Sequence, residues 1–417
     1  MSDFSRRNFI KGAALGTMGL AASGLISGAM AESSEFQGGS KMKIASVEPI
    51  LCGRRYLFVK ITAENGEYGW GECGAWAWHE ATKSIVETMG KSIIGKDPFK
   101  IEWINNALSR TPHFRGMLVQ AAISGIDIAL WDLKARHFGV PIYQLLGGNV
   151  RDKIRCYVTV SGKTAQEIAD GVKAKVDEGW DMVRIRVLHE TDEVGATDNT
   201  AHLIRKNIEV LEAIRETAGW DVDISVEWHR GLKPSEAIEY GKRADKYLIH
   251  FYEDPVCDIN QLQAMVQENC LIPIATGERG MNIYEHFDLI TKTNVRFLRP
   301  DMCIIGGISA GKRVASMAEP KGIYLIPHNP LGPISTAAAF QIDAHVPNFE
   351  CQEWPGSGIN DFITKDSDPF VITGGYFPVS DKPGLGIDIP DNIAELQPFT
   401  GAHQSFSLHA DGSIVDR

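Results

Sequence analysis

Val222-Asp223-Ile224-Ser225-Val226-Glu227-Trp228-His229 reads as a short apolar strand running into an acid, and the pattern returns in Tyr247-Leu248-Ile249-His250-Phe251-Tyr252-Glu253. Outward from this pair, strand-like apolar runs at 154–160, 182–188, 272–276, 295–299, 323–326 and 349–352 alternate with amphipathic stretches such as 203–216 and 308–317. Eight strands with helical crossovers predict a closed parallel (β/α) barrel rather than an open sheet. Upstream the rhythm differs. Strands at 57–62 and 68–72 flank the hairpin signal Glu64-Asn65-Gly66-Glu67, and helical periodicity follows from about His79 to His137, which predicts a small α+β unit.

The residues at the C-terminal ends of the later strands form a ladder: Glu227, Glu253, Glu278, Asp301, His328 and Glu353, at steps of 26, 25, 23, 27 and 25 residues. Each step is about one βα unit, so a barrel brings all six to one mouth, where barrel enzymes keep their active sites. Any one of them alone reads as an ordinary strand-end residue. Several carboxylates near one another need a compensating cation. Glu227, Glu253 and Glu278 offer hard oxygen ligands suited to Mg²⁺ or Mn²⁺, whereas zinc would recruit more His or Cys. Asp301 can fix the tautomer of His328 and make it a general base. His229, two residues past Glu227, is expected on the same strand face, as a second proton-transfer group or as a partner of Glu227. Arg184 and Arg186 share a face on the second strand and can grip a carboxylate.

The chain of 417 residues carries a net charge of −11, and 39 basic against 52 acidic residues beyond position 31 leave −13. Such a surface repels nucleic acid and anionic lipid, so an anionic substrate needs local positive charge at its site. Ser5-Arg6-Arg7-Asn8-Phe9-Ile10-Lys11, a mildly apolar stretch and Ala29-Met30-Ala31 read as a twin-arginine signal peptide over 1–31, giving a periplasmic protein with no integral membrane segment. Seven scattered cysteines without a Cys-x-x-Cys pair read mostly as small buried apolar residues.

The ladder, the Asp/His dyad and the final-strand Glu resemble the enolase superfamily in its mandelate racemase/muconate lactonizing enzyme branch, most closely the galactonate dehydratase family. The resemblance extends over 65–72, 125–132, 327–334 and 382–386. It implies an α/β fold: a modified TIM barrel, (β/α)7β, at 150–355, an N-terminal α+β capping domain at 42–145, and a C-terminal segment at 356–417 packing on the capping domain. It also implies one Mg²⁺ held by Glu227, Glu253 and Glu278, with His328 and Asp301 as the base, His229 as the acid and Glu353 stabilising the enolate. A homo-oligomer is expected, as is a small-molecule sugar acid as partner. The chain departs from galactonate dehydratases in having Arg184 and Arg186 where Lys and Asn are usual, and Glu227 in place of Asp. The second arginine could signal a second carboxylate on the substrate. Specificity is expected from the loops at 52–56 and 74–79, where Trp76, Trp78 and His79 either meet substrate or pack the domain interface; His113 and Arg115 are further candidates.

The reaction expected is dehydration of an aldonate or aldarate to a 2-keto-3-deoxy acid. An epimerase or cycloisomerase of a sugar acid or lactone would use the same enolisation, and a non-catalytic periplasmic sugar-acid-binding protein would keep the site for recognition alone.

Overall fold

The computed structural model describes residues 40–188, 199–257, 261–401, 408 and 412–414. The signal peptide expected at 1–31 lies outside them. Strands β1 (Ile44–Cys52), β2 (Tyr56–Ala63) and β3 (Tyr68–Glu72) form an antiparallel sheet in that order. The β2–β3 hairpin turns at Gly66, whose φ of +88° favours glycine. Three helices follow where one periodic stretch was read: α1 (His79–Ile93), α2 (Ile101–Arg110) and α3 (Met117–Phe138). Pro98 and Pro112 fall in the breaks. A short α4 (Ile142–Leu146) leads to the barrel.

Glycines on β3 bring the capping sheet against α3. A Cβ on Gly71 would stand 1.9 Å from the Gly125 carbonyl oxygen, and one on Gly69 would stand 2.2 Å from that of Ala129. We therefore expect Gly71→Ala to cost about 1–3 kcal/mol through overpacking. This would read as a lower urea midpoint at constant m-value, and an unchanged midpoint would show that α3 retreats freely. Two acids on α3 then tie the molecule together. Asp127 accepts from Asn105 Nδ2 (2.9 Å) and from the Ser309 amide (3.0 Å). Asp132 accepts from the amides of Trp70 (2.9 Å) and Leu385 (2.8 Å), so the 125–132 and 382–386 motifs meet at one carboxylate.

The barrel strands are β4 (Lys153–Val160), β5 (Met182–Arg186), β6 (Asp223–Glu227), β7 (Ile249–Glu253), β8 (Ile274–Thr276), β9 (Phe297–Leu298), β10 (Tyr324–Leu325) and β11 (Gln352–Glu353). Between them run α5 (Ala165–Asp177), α6 (Thr200–Ala218), α7 (Pro234–Ala244), α8 (Gln261–Asn269), α9 (Ile283–Lys292), α10 (Gly307–Ala318) and α11 (Pro333–His345), seven βα units and a last strand. The parallel path runs from β10 down to β4 and on to β11, and a parallel bridge between Leu325 and Phe349 closes it. Tyr157, Met182, Phe251, Ala275, Phe297, Ile326 and Cys351 pack together as the filled barrel interior. After β11, β12 (Tyr376–Pro378) adds antiparallel to β4, and α12 (Ile393–Leu396) follows. Asp388 accepts from Tyr68 Oη (2.6 Å) and Trp70 Nε1 (3.0 Å), so this segment lies on the capping sheet. Cys52, Cys73, Cys156, Cys270, Cys303 and Cys351 are free and buried, whereas Cys257 is exposed.

Candidate active site

Parallel register places Glu227 directly beside Glu253, and Glu253 beside Ala275, three residues before Glu278. Asp301, His328 and Glu353 follow at the same end of the barrel. All six residues of the ladder are buried; His328 is the most open of them, at 8% exposure. Six non-glycine residues in the described chain have left-handed backbone, and five of them, Trp76, Ala77, His229, Arg230 and Asp254, lie on the loops around this mouth. Strain of this kind collects where side chains must be aimed.

Two arginines thread the carboxylates. Arg184 reaches Glu253 Oε1 with Nη1 (2.7 Å) and Glu353 Oε1 with Nη2 (2.8 Å), while its Nε is 3.7 Å from Glu227 Oε2. Arg299, wholly buried, reaches Glu353 Oε2 (2.8 Å) and Glu253 Oε1 (3.1 Å) with Nη2, and donates from Nη1 to Tyr157 Oη (2.7 Å). Arg184 was expected to grip substrate, but its fork is spent on the protein's own acids. Arg186 differs: its Nε donates to Glu227 Oε2 (3.4 Å), but its side chain is 56% exposed.

Among the described residues, no three His, Cys, Asp or Glu side chains are close enough to enclose an ion as they stand. The guanidinium groups hold the acids instead. The donor set nevertheless suits a hard divalent cation, because Glu253 Oε2 is buried with no hydrogen-bond partner. Burial pushes the Glu253 carboxyl up to about 8, and Glu227 and Glu353 add to the rise against Arg184 and Arg299. For Glu227, Glu253 and Glu278 to close around an ion, Arg184 would have to loosen its hold on Glu253.

His328 Nδ1 donates to Asp301 Oδ2 (2.9 Å), and Asp301 Oδ1 accepts from the Cys303 amide (2.8 Å). This bond leaves Nε2 as the nitrogen turned toward the mouth, 3.6 Å from Glu278 Oε2. Burial would lower the pKa of His328, but Glu278, the Asp301 hydrogen bond and Glu353 outweigh it and raise the imidazole to about 9. Trp76 stacks on the ring, centroids 5.7 Å apart and 18° from parallel, so it contacts this imidazole. Glu353 is held by the Asn329 amide (3.0 Å) as well as by both arginines.

His229 enters differently from the expectation. β6 ends at Glu227, and a left-handed φ of +48° at His229, rather than strand alternation, aims the ring. Its Nε2 accepts from Arg279 Nη2 (3.3 Å). Burial and Arg279 lower its pKa against Glu227 and Glu278, so it rests as a neutral imidazole. His79 does not face the mouth: it is buried, with Nε2 on the Arg55 carbonyl (2.9 Å) and its ring against Phe399. Trp78 is half exposed.

Arg299, Arg279 and Asp254 were not singled out from the sequence. Each is adjacent or next but one to a ladder residue, so widening the ladder by two positions on either side would have found them. In the sequence Glu72 stands out only as part of the 65–72 motif. It crosses from β3 to accept from the Gly332 (2.8 Å) and Ser335 (2.8 Å) amides at the start of α11, which follows His328. The capping sheet therefore braces the loop that carries His328.

Residues 41–147 match the mandelate racemase/muconate lactonizing enzyme N-terminal domain, and residues 167–393 match the enolase C-terminal domain-like family. The chain is 32% identical to the D-galactonate dehydratase of Cronobacter sakazakii over 386 residues, covering 90% of this chain and all of that enzyme. An enolase from Pantoea ananatis with bound D-gluconate and Mg superposes with a TM-score of 0.82 at 28% identity, covering 90% of this chain and 99% of that one. An enolase from Agrobacterium radiobacter with bound Na and L-malate gives 0.81 at 26% identity, covering 89% and 99%.

Proposed function

Because the chain belongs to the mandelate racemase/muconate lactonizing enzyme family of the enolase superfamily, we propose that it dehydrates a sugar acid, an aldonate or aldarate, to a 2-keto-3-deoxy acid. As a hydro-lyase it must take a proton from the carbon next to the carboxylate and release hydroxide from the carbon beyond. The observation that carries the reading is the oriented dyad: Asp301 holds Nδ1 of His328, so Nε2 is presented among buried carboxylates.

Glu227, Glu253 and Glu278 would hold a divalent cation, Mg²⁺ before Mn²⁺, which when bound supplies positive charge for the substrate carboxylate and the enolate. His328 Nε2 takes the α-proton, with the Trp76 ring fixing the plane of the imidazole. Arg184 and Arg299 hold Glu353 in place beside the base. His229 serves as the acid only once its bond from Arg279 breaks, and a substrate anion that draws the guanidinium away would release it to carry a proton. Arg186, the more open of the two strand arginines, is placed to take a second carboxylate, which favours testing aldarates beside aldonates.

A library of aldonates and aldarates incubated with Mg²⁺ and assayed for keto-acid formation tests this reading. Mass spectrometry of the product distinguishes loss of water from epimerisation, which conserves mass. His229→Ala is expected to retain solvent-deuterium exchange at the α-carbon while elimination falls by about 10²–10⁴-fold. Loss of exchange in that variant would remove His229 from the acid role. Absence of exchange from the wild type with every acid tested would favour a binding protein. We further infer export by the twin-arginine route and assembly as a homo-oligomer; among the described residues no helix is long and apolar enough to cross a membrane.

A further inference from the structure

A cavity of about 250 Å³ lies between α2, the loop from α2 to α3, and the starts of α9 and α10, and it shares no lining residue with the site above. That volume is far above the roughly 10–15 Å³ that one water needs, so it admits a molecule of several carbons. Arg110, Arg115 and Arg313 all line it. Glu102 pairs with Arg313, and Arg115 lies over the Tyr284 ring, 4.5 Å from its centroid. Arg110, at the exposed end of α2, has no ion-pair partner among the described residues. Three guanidinium groups against one carboxylate stand out on a chain of net charge −11.

A second observation points to a ligand. Gln120, in the first turn of α3, is only 4% exposed, lines the cavity, and its side-chain amide has no protein partner among the described residues. Its amide faces the cavity rather than the protein interior, so it can pair with what enters there. Asn106 and Ser109 add polar groups suited to hydroxyls. Arginines for an anion, with amides and a hydroxyl beside them, match a polyhydroxylated chain ending in an oxyanion.

We propose that this cavity is a second small-molecule site, which takes a polyhydroxylated organic anion, a carboxylate or a phosphate ester, on Arg110, Arg115 and Gln120. The site sits close to the chemistry. Asn282, which lines it, caps α9 four residues after Glu278, and Ile305, also in its wall, donates its amide to the Asp301 carbonyl (3.0 Å).

The test is equilibrium dialysis of gluconate and of 6-phosphogluconate against the full chain carrying His328→Ala, which prevents turnover. The same chain is then measured with Arg110→Glu and Arg115→Glu added. Both arginines are exposed, so the fold should tolerate the change, and a matching thermal melt checks it; Arg110→Gln serves if the melt differs. Two bound probes per chain falling to one in the charge-reversed protein support the site. Should the barrel mouth bind neither probe, the counts become one and zero, so failure of the dehydratase reading is not mistaken for failure of this one. The tighter probe, by tenfold or more, identifies the terminal anion. Gln120→Leu is expected to weaken the second site by about tenfold without changing that preference. Equal stoichiometry with and without the two reversals would overturn the proposal.

Discussion

His328→Ala is expected to lower both sugar-acid turnover and solvent-deuterium exchange at the substrate α-carbon by about 10²–10⁴-fold. Both readouts should fall together, because the same Nε2 takes the proton in each. Asp301→Asn should give a milder loss with the same joint pattern. An amide at 2.9 Å from Nδ1 can offer a donor in place of the acceptor, so the imidazole is no longer held with Nδ1 engaged and Nε2 turned to the mouth. The contrast with His229→Ala, which should separate exchange from elimination, makes the three variants a set. Exchange that persists in His328→Ala would place the base elsewhere at the mouth and end the assignment.

Arg299→Leu is expected to destabilise the fold by about 3–5 kcal/mol. The guanidinium is wholly buried and serves Glu253, Glu353 and the Tyr157 hydroxyl at once. Its removal leaves like charges together in a dry barrel, with Arg184 alone to separate them. The same variant tests the cation reading. If Glu227, Glu253 and Glu278 hold a divalent ion, Mg²⁺ should raise the denaturation midpoint of Arg299→Leu more than that of the wild type, because the ion offsets the charge the arginine no longer does. Chelator should reverse the gain. Equal midpoints with Mg²⁺ and with chelator in both proteins would remove the metal from these three residues.

The barrel and its ladder were legible because periodicity is local. Each strand announces itself by an apolar run, and each ladder residue by its distance from the last, so Glu227, Glu253, Glu278, Asp301, His328 and Glu353 could be assigned to one mouth without coordinates. The quoted motifs were visible as motifs, but not their meaning. That Asp132 joins β3 to residue 385, or that Glu72 caps α11, depends on segments about 250 residues apart meeting in space.

Chain order and side-chain chemistry alone therefore determined the class of fold, the end of the barrel where the ladder gathers, and the carboxylate and imidazole side chains that meet there. Tertiary structure decided which charges are already satisfied. Arg184 and Arg186 look alike two residues apart on one strand, yet one is locked between Glu253 and Glu353 and the other opens to solvent. His229 is turned in by a left-handed residue that no alternation rule foresees, and His79 is turned away to pack against Phe399. Arg110, Arg115 and Gln120 meet at one cavity for the same reason. Alternation along a strand is set by neighbouring residues, whereas the partner a buried charge finds is set by whatever distant segment the fold brings within about 3 Å.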